Sequence, residues 1–146
     1  MSPTIKFRRL DPRAVLPSRG HPGDAGLDLS CIEPVDLRPG ERVAVRTGLA
    51  VAIPHGCAGL VLPRSGLARR HGIGLVNAPG LIDSGYRGEI EVLLINTDAT
   101  ESFSIDAGSR IAQLVVLDCS HADAGWSEAL DDGDRGSDGF GSTGTD

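Results

Sequence analysis

The chain has 146 residues, of which 40% are apolar and 3% aromatic, with 20 Gly, 9 Pro and a net charge of −6. That length suits one domain around a single core and excludes a second core of comparable size. Val, Leu, Ile and Ala supply nearly all of the apolar residues, and small side chains punctuated by Gly and Pro favour strands joined by tight turns.

Strand-like runs recur along the chain, each closed by a turn signal. Ile5 to Leu10 runs into Asp11-Pro12, and Val35 to Leu37 ends at Pro39-Gly40. Glu41 to Ile53 alternates over two stretches, Val43, Val45 and Thr47 on one face, then Leu49, Val51 and Ile53. Ala58 to Leu62 stops at Pro63, and Leu67 to His71 has room for one helical turn, too short to form a layer. Ile90 to Asn96 is apolar on both faces from Val92 to Ile95, which predicts a central strand. Phe103 to Ile105 and Ile111 to Leu117 complete the series. No segment supplies the helices that parallel strands need for their crossovers, so the expected fold class is all-β, a sandwich or jelly roll.

The charge is unevenly placed. From Asp118 onward there are eight acidic residues and one Arg, leaving 13 basic and 12 acidic residues for the rest. No basic stripe interleaved with aromatics occurs, so polymeric nucleic acid is not an expected partner, although a few focused arginines suffice for a small anion. Cys31, Cys57 and Cys119 form no C-x-x-C pair and are read as reduced, mostly buried thiols. His21, His55, His71 and His121 lack metal-ligand spacing, and the H-x-E with a later P-C-x-x-C of a zinc deaminase is missing. Met1 to Asp11 is no signal peptide and no run is long enough to span a membrane, so the cytoplasm is the expected location. From Asp131 to Asp146 Gly, Asp, Ser and Thr dominate and Phe140 is the one large apolar side chain, a composition that cannot offset its ordering entropy by burial.

Five segments carry possible chemistry, each with an ordinary structural reading beside it. Asp24-Ala25-Gly26-Leu27-Asp28-Leu29 sets two carboxylates four apart; it reads as a turn entering a strand, or as a place where Asp28 holds a hydrated magnesium ion. Pro63-Arg64-Ser65-Gly66 follows a strand and opens the helical turn, which suits a capped solvated arginine or a phosphate seat. Asn77 to Glu89 is a Gly-punctuated loop that carries the sole Tyr, Tyr86, with Asp83 nearby. It reads as a long hairpin, or as a loop whose backbone reads a base edge beside a water-orienting carboxylate. Gly108 to Leu114 is a turn and a strand start, with Arg110 and Gln113 on opposite faces by strand parity. Arg135 to Gly144 has the composition of a phosphate-binding loop but no G-K-[S/T] and no preceding strand, so it is no Walker loop. Its glycine amides and hydroxyls suit a polyphosphate, with Arg135 as a positive finger.

In order and content, these five segments resemble the five motifs of the trimeric dUTPase family, over nearly the whole chain from Asp24 to Gly144. The resemblance implies a β-jelly-roll (β-clip) homotrimer, with a site at each subunit interface and the flexible tail of one subunit closing over a site built from the other two. It implies that dUTP is hydrolysed to dUMP and pyrophosphate with Mg2+, which limits uracil incorporation into DNA and supplies dUMP for dTMP synthesis. Residues 1–119 would form the domain, 120–134 an acidic linker and 135–146 the closing tail. Arg64, Ser65 and Gly66 would hold phosphates. Asn77 and the backbone from Gly80 through Leu81 and Ile82 to Asp83 would recognise uracil. Asp83 would orient the attacking water, Tyr86 would pack on the deoxyribose, and Glu91 would add a backbone contact to uracil. Gln113 would reach a phosphate, Arg135, Phe140, Gly141 and Ser142 would clasp the terminal phosphates and cover the base, and Asp28 would meet magnesium through water.

Three positions depart from the family pattern. Asp138 stands where Gly or another small residue is common, which predicts weakened tail closure. Ser109 replaces an acidic or amide residue and Leu81 a Val or Thr, both mild changes. A dCTP deaminase shares the jelly roll and the Arg-Ser element, but Asp83-Ser84-Gly85-Tyr86-Arg87-Gly88 and the glycine tail match the pyrophosphatase pattern. A silent nucleotide-binding or protein-interaction module on the same fold would be expected to lack Asp83, Tyr86 or the tail.

Overall fold

The computed structural model describes residues 4–144, so residues 1–3 of the expected domain and 145–146 of the expected tail lie outside the described residues. The described strands are β1 (Lys6–Arg9), β2 (Leu27–Ser30), β3 (Val35–Leu37), β4 (Arg42–Arg46), β5 (Leu49–Ala52), β6 (Cys57–Pro63), β7 (Ile73–Leu75), β8 (Gly80–Ile82), β9 (Glu91–Asn96), β10 (Phe103–Ile105) and β11 (Arg110–Asp118). One helix, α1 (Ser65–His71), sits between β6 and β7 and ends at Gly72, whose φ of 65° is the left-handed closure glycine adopts readily. No helix among the described residues is long and apolar enough to cross a membrane.

Every ladder is antiparallel. One sheet has the order β2-β11-β6-β8 and another β4-β9-β7, with the pairs β1-β5 and β10-β3 completing a jelly roll. β9 is central, as its two-sided apolar run predicts, and β11 is flanked by β2 and β6. Alternating side chains from these strands meet in a single core, where Leu29, Leu37, Ile73, Leu94, Ile111 and Leu114 are fully buried. Two buried polar side chains are satisfied there. Thr47 Oγ1 donates to the Ile90 carbonyl, and Asn96 Nδ2 donates to the carbonyls of Leu37 and Glu101.

Glu41 to Ile53 is two strands, because Gly48 turns the chain at φ 68° and a Cβ there would stand 2.9 Å from Asp11 Cβ. The expected long hairpin from Asn77 to Glu89 does not form as one ladder. Its first arm, β8, pairs with β6, while the strand after it, β9, pairs with β4 and β7. Of the three cysteines, Cys31 is buried, Cys57 half-buried and Cys119 exposed, which corrects the expectation of mostly buried thiols; all three are free.

Candidate active site

The failed hairpin makes a cavity. β8 is the outer strand of its sheet, joined to β6 through Gly59↔Ile82, Leu60↔Leu81 and Val61↔Gly80, so its other edge has no ladder partner among the described residues. β9 follows β4 along most of its length but meets β7 only from Leu94 to Asn96. Between these two open edges lies a cavity of about 280 Å³, lined by Asn77, Gly80, Leu81, Ile82, Asp83, Tyr86, Glu89 and Glu91 among others. Unpaired backbone amides and carbonyls facing one space suit the edge of a planar, hydrogen-bonding ligand. Gly80 keeps the wall thin, since a Cβ there would stand 3.3 Å from Asn77 Nδ2 and 3.4 Å from Val61 Cβ.

The loop after β8 is held by its own bonds. The Tyr86 amide donates to the Asp83 carbonyl at 3.1 Å and the Tyr86 hydroxyl to the Glu89 carbonyl at 2.9 Å. Arg87 Nη1 donates to the carbonyls of Ser84 and Tyr86 at 2.7 and 2.8 Å. Gly88 lies against the Tyr86 ring so closely that a Cβ would stand 2.6 Å from Cζ. Tyr86 stays 47% exposed and Asp83 is exposed, so both are available to a ligand.

A second, polar cavity of about 230 Å³ lies at the β2–β11 seam and the start of α1, lined by Asp24, Gly26, Asp28, Arg64, Ser65, Gly66, Arg110 and Gln113 with Gly20 and His21. β6 delivers Arg64 to it in extended conformation, and no side chain caps the helix that follows. Asp28 and Gln113 are direct partners in the β2–β11 register. Asp28 lies 3.3 Å from Arg110 Nη1 and 3.9 Å from Arg64 Nε, while Arg64 Nη1 donates to the Arg110 carbonyl at 3.2 Å. A side chain at Gly26 would strike Gln113, whose Oε1 would be 2.6 Å from its Cβ. Strand parity places Arg110 and Gln113 on opposite faces, and here the structure corrects the sequence. The register slips between Arg110 and Ala112, and such a bulge resets the alternation, so both residues line the same cavity.

The donor chemistry here narrows the metal. Among the described residues no group of three or more His, Cys, Asp or Glu is placed to hold an ion. Both acids of this cavity are already engaged, Asp24 by the His21 amide at 2.8 Å and Asp28 by Arg110 at 3.3 Å, and of the two Asp28 is the one set beside the arginines and Gln113. One carboxylate fits an ion that keeps its waters and binds chiefly through a ligand's phosphates, as magnesium does, and does not fit a protein-chelated ion.

The two cavities share no lining residue. Within one chain the structure therefore gathers Asn77, Leu81, Ile82, Asp83, Tyr86 and Glu91 in one place and Asp28, Arg64, Ser65, Gly66 and Gln113 in another. The described tail residues line neither cavity. Arg135 Nη2 donates to the Asp138 carbonyl and to Ser142 Oγ, the other tail bonds close local turns, and Phe140 and Gly141 are exposed. Arg110, Gly26 and Glu89 are wall residues that the sequence reading left without a role. All three lie inside segments singled out for other residues, Gly26 beside Asp28, Glu89 at the end of the loop that carries Tyr86, and Arg110 beside Gln113.

A family model described as dUTPase matches residues 13–144. The deoxyuridine 5'-triphosphate nucleotidohydrolase of Cutibacterium acnes is 60% identical over 142 residues, covering 97% of this chain and 90% of the relative. That of Thermobifida fusca is 54% identical over 140 residues, covering 96% and 78%. Among solved structures, a variant of the Staphylococcus bacteriophage 80alpha dUTPase with dUpNHpp superposes with a TM-score of 0.92 at 29% identity, covering 99% of this chain and 100% of that one. A variant of the dUTPase from phage phi11 of S. aureus, which coordinates a structural Mg(II) ion, superposes at 0.80 and 28% identity, covering 88% and 99%. With open-edged and arginine-lined cavities carrying residues of four of the five motifs, and with relatives this similar over the full fold, the chain belongs to the dUTPase family.

Proposed function

We infer that the chain is a dUTP diphosphatase, which hydrolyses dUTP to dUMP and pyrophosphate, and that its working site forms between copies of itself. The observation that carries this reading is the separation of the two cavities. One has the open strand edges, Asp83 and Tyr86 suited to a deoxynucleoside, and the other has Arg64, Arg110 and Gln113 suited to phosphates. A homotrimer that joins the first cavity of one subunit to the second of its neighbour spans a whole nucleotide. Residues 1–119 then form the jelly-roll domain, and 120–134 an acidic linker that carries the tail, 135–146, to a further subunit.

In this reading the backbone from Gly80 to Asp83, with Asn77 and the Glu91 main chain, pairs with uracil. Cytosine is rejected because its amine reverses a donor and an acceptor, and unmet buried hydrogen bonds are the strongest available filter. Asp83 orients a water in line with the α-phosphorus and takes its proton as the new P–O bond forms. The bond from the α-phosphorus to the bridging oxygen breaks, and its electron pair leaves with pyrophosphate. Arg64, Ser65, Gly66 and Gln113 hold the phosphates, and Arg135, Phe140, Gly141 and Ser142 close over them. Magnesium on the triphosphate, met by Asp28 through water, would supply charge neutralisation. The cytoplasm is the proposed location.

Incubating the purified chain with dUTP, dCTP and UTP, and assaying pyrophosphate and ammonia, tests the reading. Pyrophosphate from dUTP alone is expected. Ammonia from dCTP would make the chain a deaminase, and dUTP binding without turnover would make it a silent module. Sedimentation should give a trimer.

A further inference from the structure

Arg46 closes β4, and the strand register places it directly opposite Glu91. Its guanidinium nevertheless reaches diagonally to Glu89, two residues earlier, with Nε at 3.0 Å and Nη2 at 3.1 Å from the two carboxylate oxygens. Such diagonal neighbours on one face are within reach of a long side chain, and a two-point guanidinium–carboxylate contact fixes direction as well as distance. The Glu89 side chain is 18% exposed, so the pair is partly withdrawn from water. Arg46 is itself held from behind, with Glu33 at 3.6 Å and Asp11 at 3.9 Å, and Arg13 bonds to both of those acids.

What Arg46 grips is the residue that holds Tyr86. The Glu89 carbonyl accepts from the Tyr86 hydroxyl, and the next residue is pinned twice, Ile90 amide to Leu49 carbonyl at 2.7 Å and Thr47 hydroxyl to Ile90 carbonyl at 2.6 Å. The turn between β4 and β5 thus anchors backbone and side chain of the segment against which the Tyr86 ring lies. We propose that Arg46 is a positioning residue for Tyr86, and that the clamp it puts on Glu89 sets discrimination between deoxyribose and ribose nucleotides. The inference rests on the reading that Tyr86 packs on deoxyribose. Without the clamp the loop from Tyr86 to Glu89 keeps only its anchor at Ile90, so the ring gains freedom beside the sugar's 2′ carbon, where a ribose carries an extra hydroxyl.

Arg46→Met removes the charge and keeps the stem. The expected result is a roughly five- to tenfold fall in the ratio of kcat/KM for dUTP to that for UTP, with dUTP kcat within about threefold of wild type. Arg46→Lys, which keeps charge without the fork, should fall between the two. Tyr86→Phe already lacks the hydroxyl, so adding Arg46→Met to it should change the ratio by less than about twofold, the non-additivity of residues acting through one bond. A readout independent of activity is available because Tyr86 is the sole tyrosine. Fluorotyrosine labelling gives one ¹⁹F resonance, which should shift or broaden in Arg46→Met and in Glu89→Gln while circular dichroism stays that of the wild type. If Arg46→Met does not fold, Arg46→Lys and Glu89→Gln carry the same comparison. An unchanged nucleotide ratio and an unchanged ¹⁹F line, in variants that still hydrolyse dUTP, would overturn the role of Arg46 alone. Failure of the wild-type chain to hydrolyse dUTP would overturn the functional reading beneath it.

Discussion

The Asp28 carboxylate and the Arg110 guanidinium meet at 3.3 Å across the β2–β11 seam, brought together by a bulge that turns Arg110 toward the same cavity as Gln113. Asp28 is therefore neutralised in the free chain by Arg110 and, more distantly, by Arg64. On the proposed reading, a triphosphate that draws those arginines would release Asp28 to meet a hydrated cation. The pairing acts as a placeholder for both partners of the ligand.

The exchange predicts a specific magnesium phenotype. Asp28→Asn should raise the Mg2+ concentration for half-maximal dUTP hydrolysis by about three- to tenfold, with most of kcat recovered at saturating metal, because a water-mediated contact is lost and no direct ligand. A Mg2+ titration of pyrophosphate release distinguishes this from a structural defect, which excess metal would not repair.

Asp83 is exposed just after β8, and its carbonyl, accepting from the Tyr86 amide, shapes the loop, while on the proposed reading its carboxylate serves as the base. Backbone shape and side-chain function are thus separable. Asp83→Asn should leave the affinity for a non-hydrolysable dUTP analogue within about threefold and lower kcat by roughly 10²–10⁴-fold, the usual range for a lost general base. Equal losses in both, by calorimetry and single-turnover assay, would make the carboxylate structural.

How much of this could be read from the sequence depended on range. β9 and β11 carry long apolar patterns and were legible, as was the one helical turn before Gly72. β3 and β10 have three residues each and are legible as Val-Asp-Leu and Phe-Ser-Ile, whereas β7 and β8, equally short, each give one position to Gly, which left too little pattern for either. The motif residues were legible by type, but their division between two cavities was not, since it follows from β8 choosing β6 over β9. Parity misplaced Arg110 because a one-residue bulge leaves no mark in a pattern of alternation. The diagonal reach of Arg46 to Glu89 was invisible for the same reason, because it needs the β4–β9 register first.

Acid should loosen the fold through two carboxylates outside the cavities. Asp11 accepts from the Arg13 guanidinium and amide, which hold it well below the ordinary carboxylate range. The amides of Thr100 and Glu101 lower Asp98 from its ordinary value of 3.8. A pKa lower in the folded chain than in the unfolded one means that unfolding takes up protons. The contribution is therefore complete above the unfolded value and is lost as pH falls through the folded one. Urea midpoints should decline from about pH 4 downward on this account. Asp98→Asn, which keeps an acceptor oxygen but cannot titrate, should flatten that decline; an unchanged slope would assign it to other groups.

The tail provides the test that separates fold from catalysis. No strand or helix follows Asp118 among the described residues, residues 117–144 are exposed, and Phe140 holds a φ of 45° with its ring fully in solvent. An apolar ring and an arginine exposed to water bury nothing in the isolated chain, and on the proposed reading they act by covering a neighbouring site. Deleting the residues after Leu130 should move the thermal midpoint by less than about 2 °C, since no burial is lost. The same deletion should cut kcat/KM for dUTP by about 10²-fold or more, since charge stabilisation by Arg135 and exclusion of water by Phe140 vanish together. Phe140→Ala should lie between the two, because it keeps Arg135 and the glycine amides. Mixing the truncated chain with an Asp83→Asn chain makes the test sharper. If tails act on neighbouring subunits, mixed trimers should recover activity that neither parent has, because the intact tail of one copy then closes over the Asp83 of another.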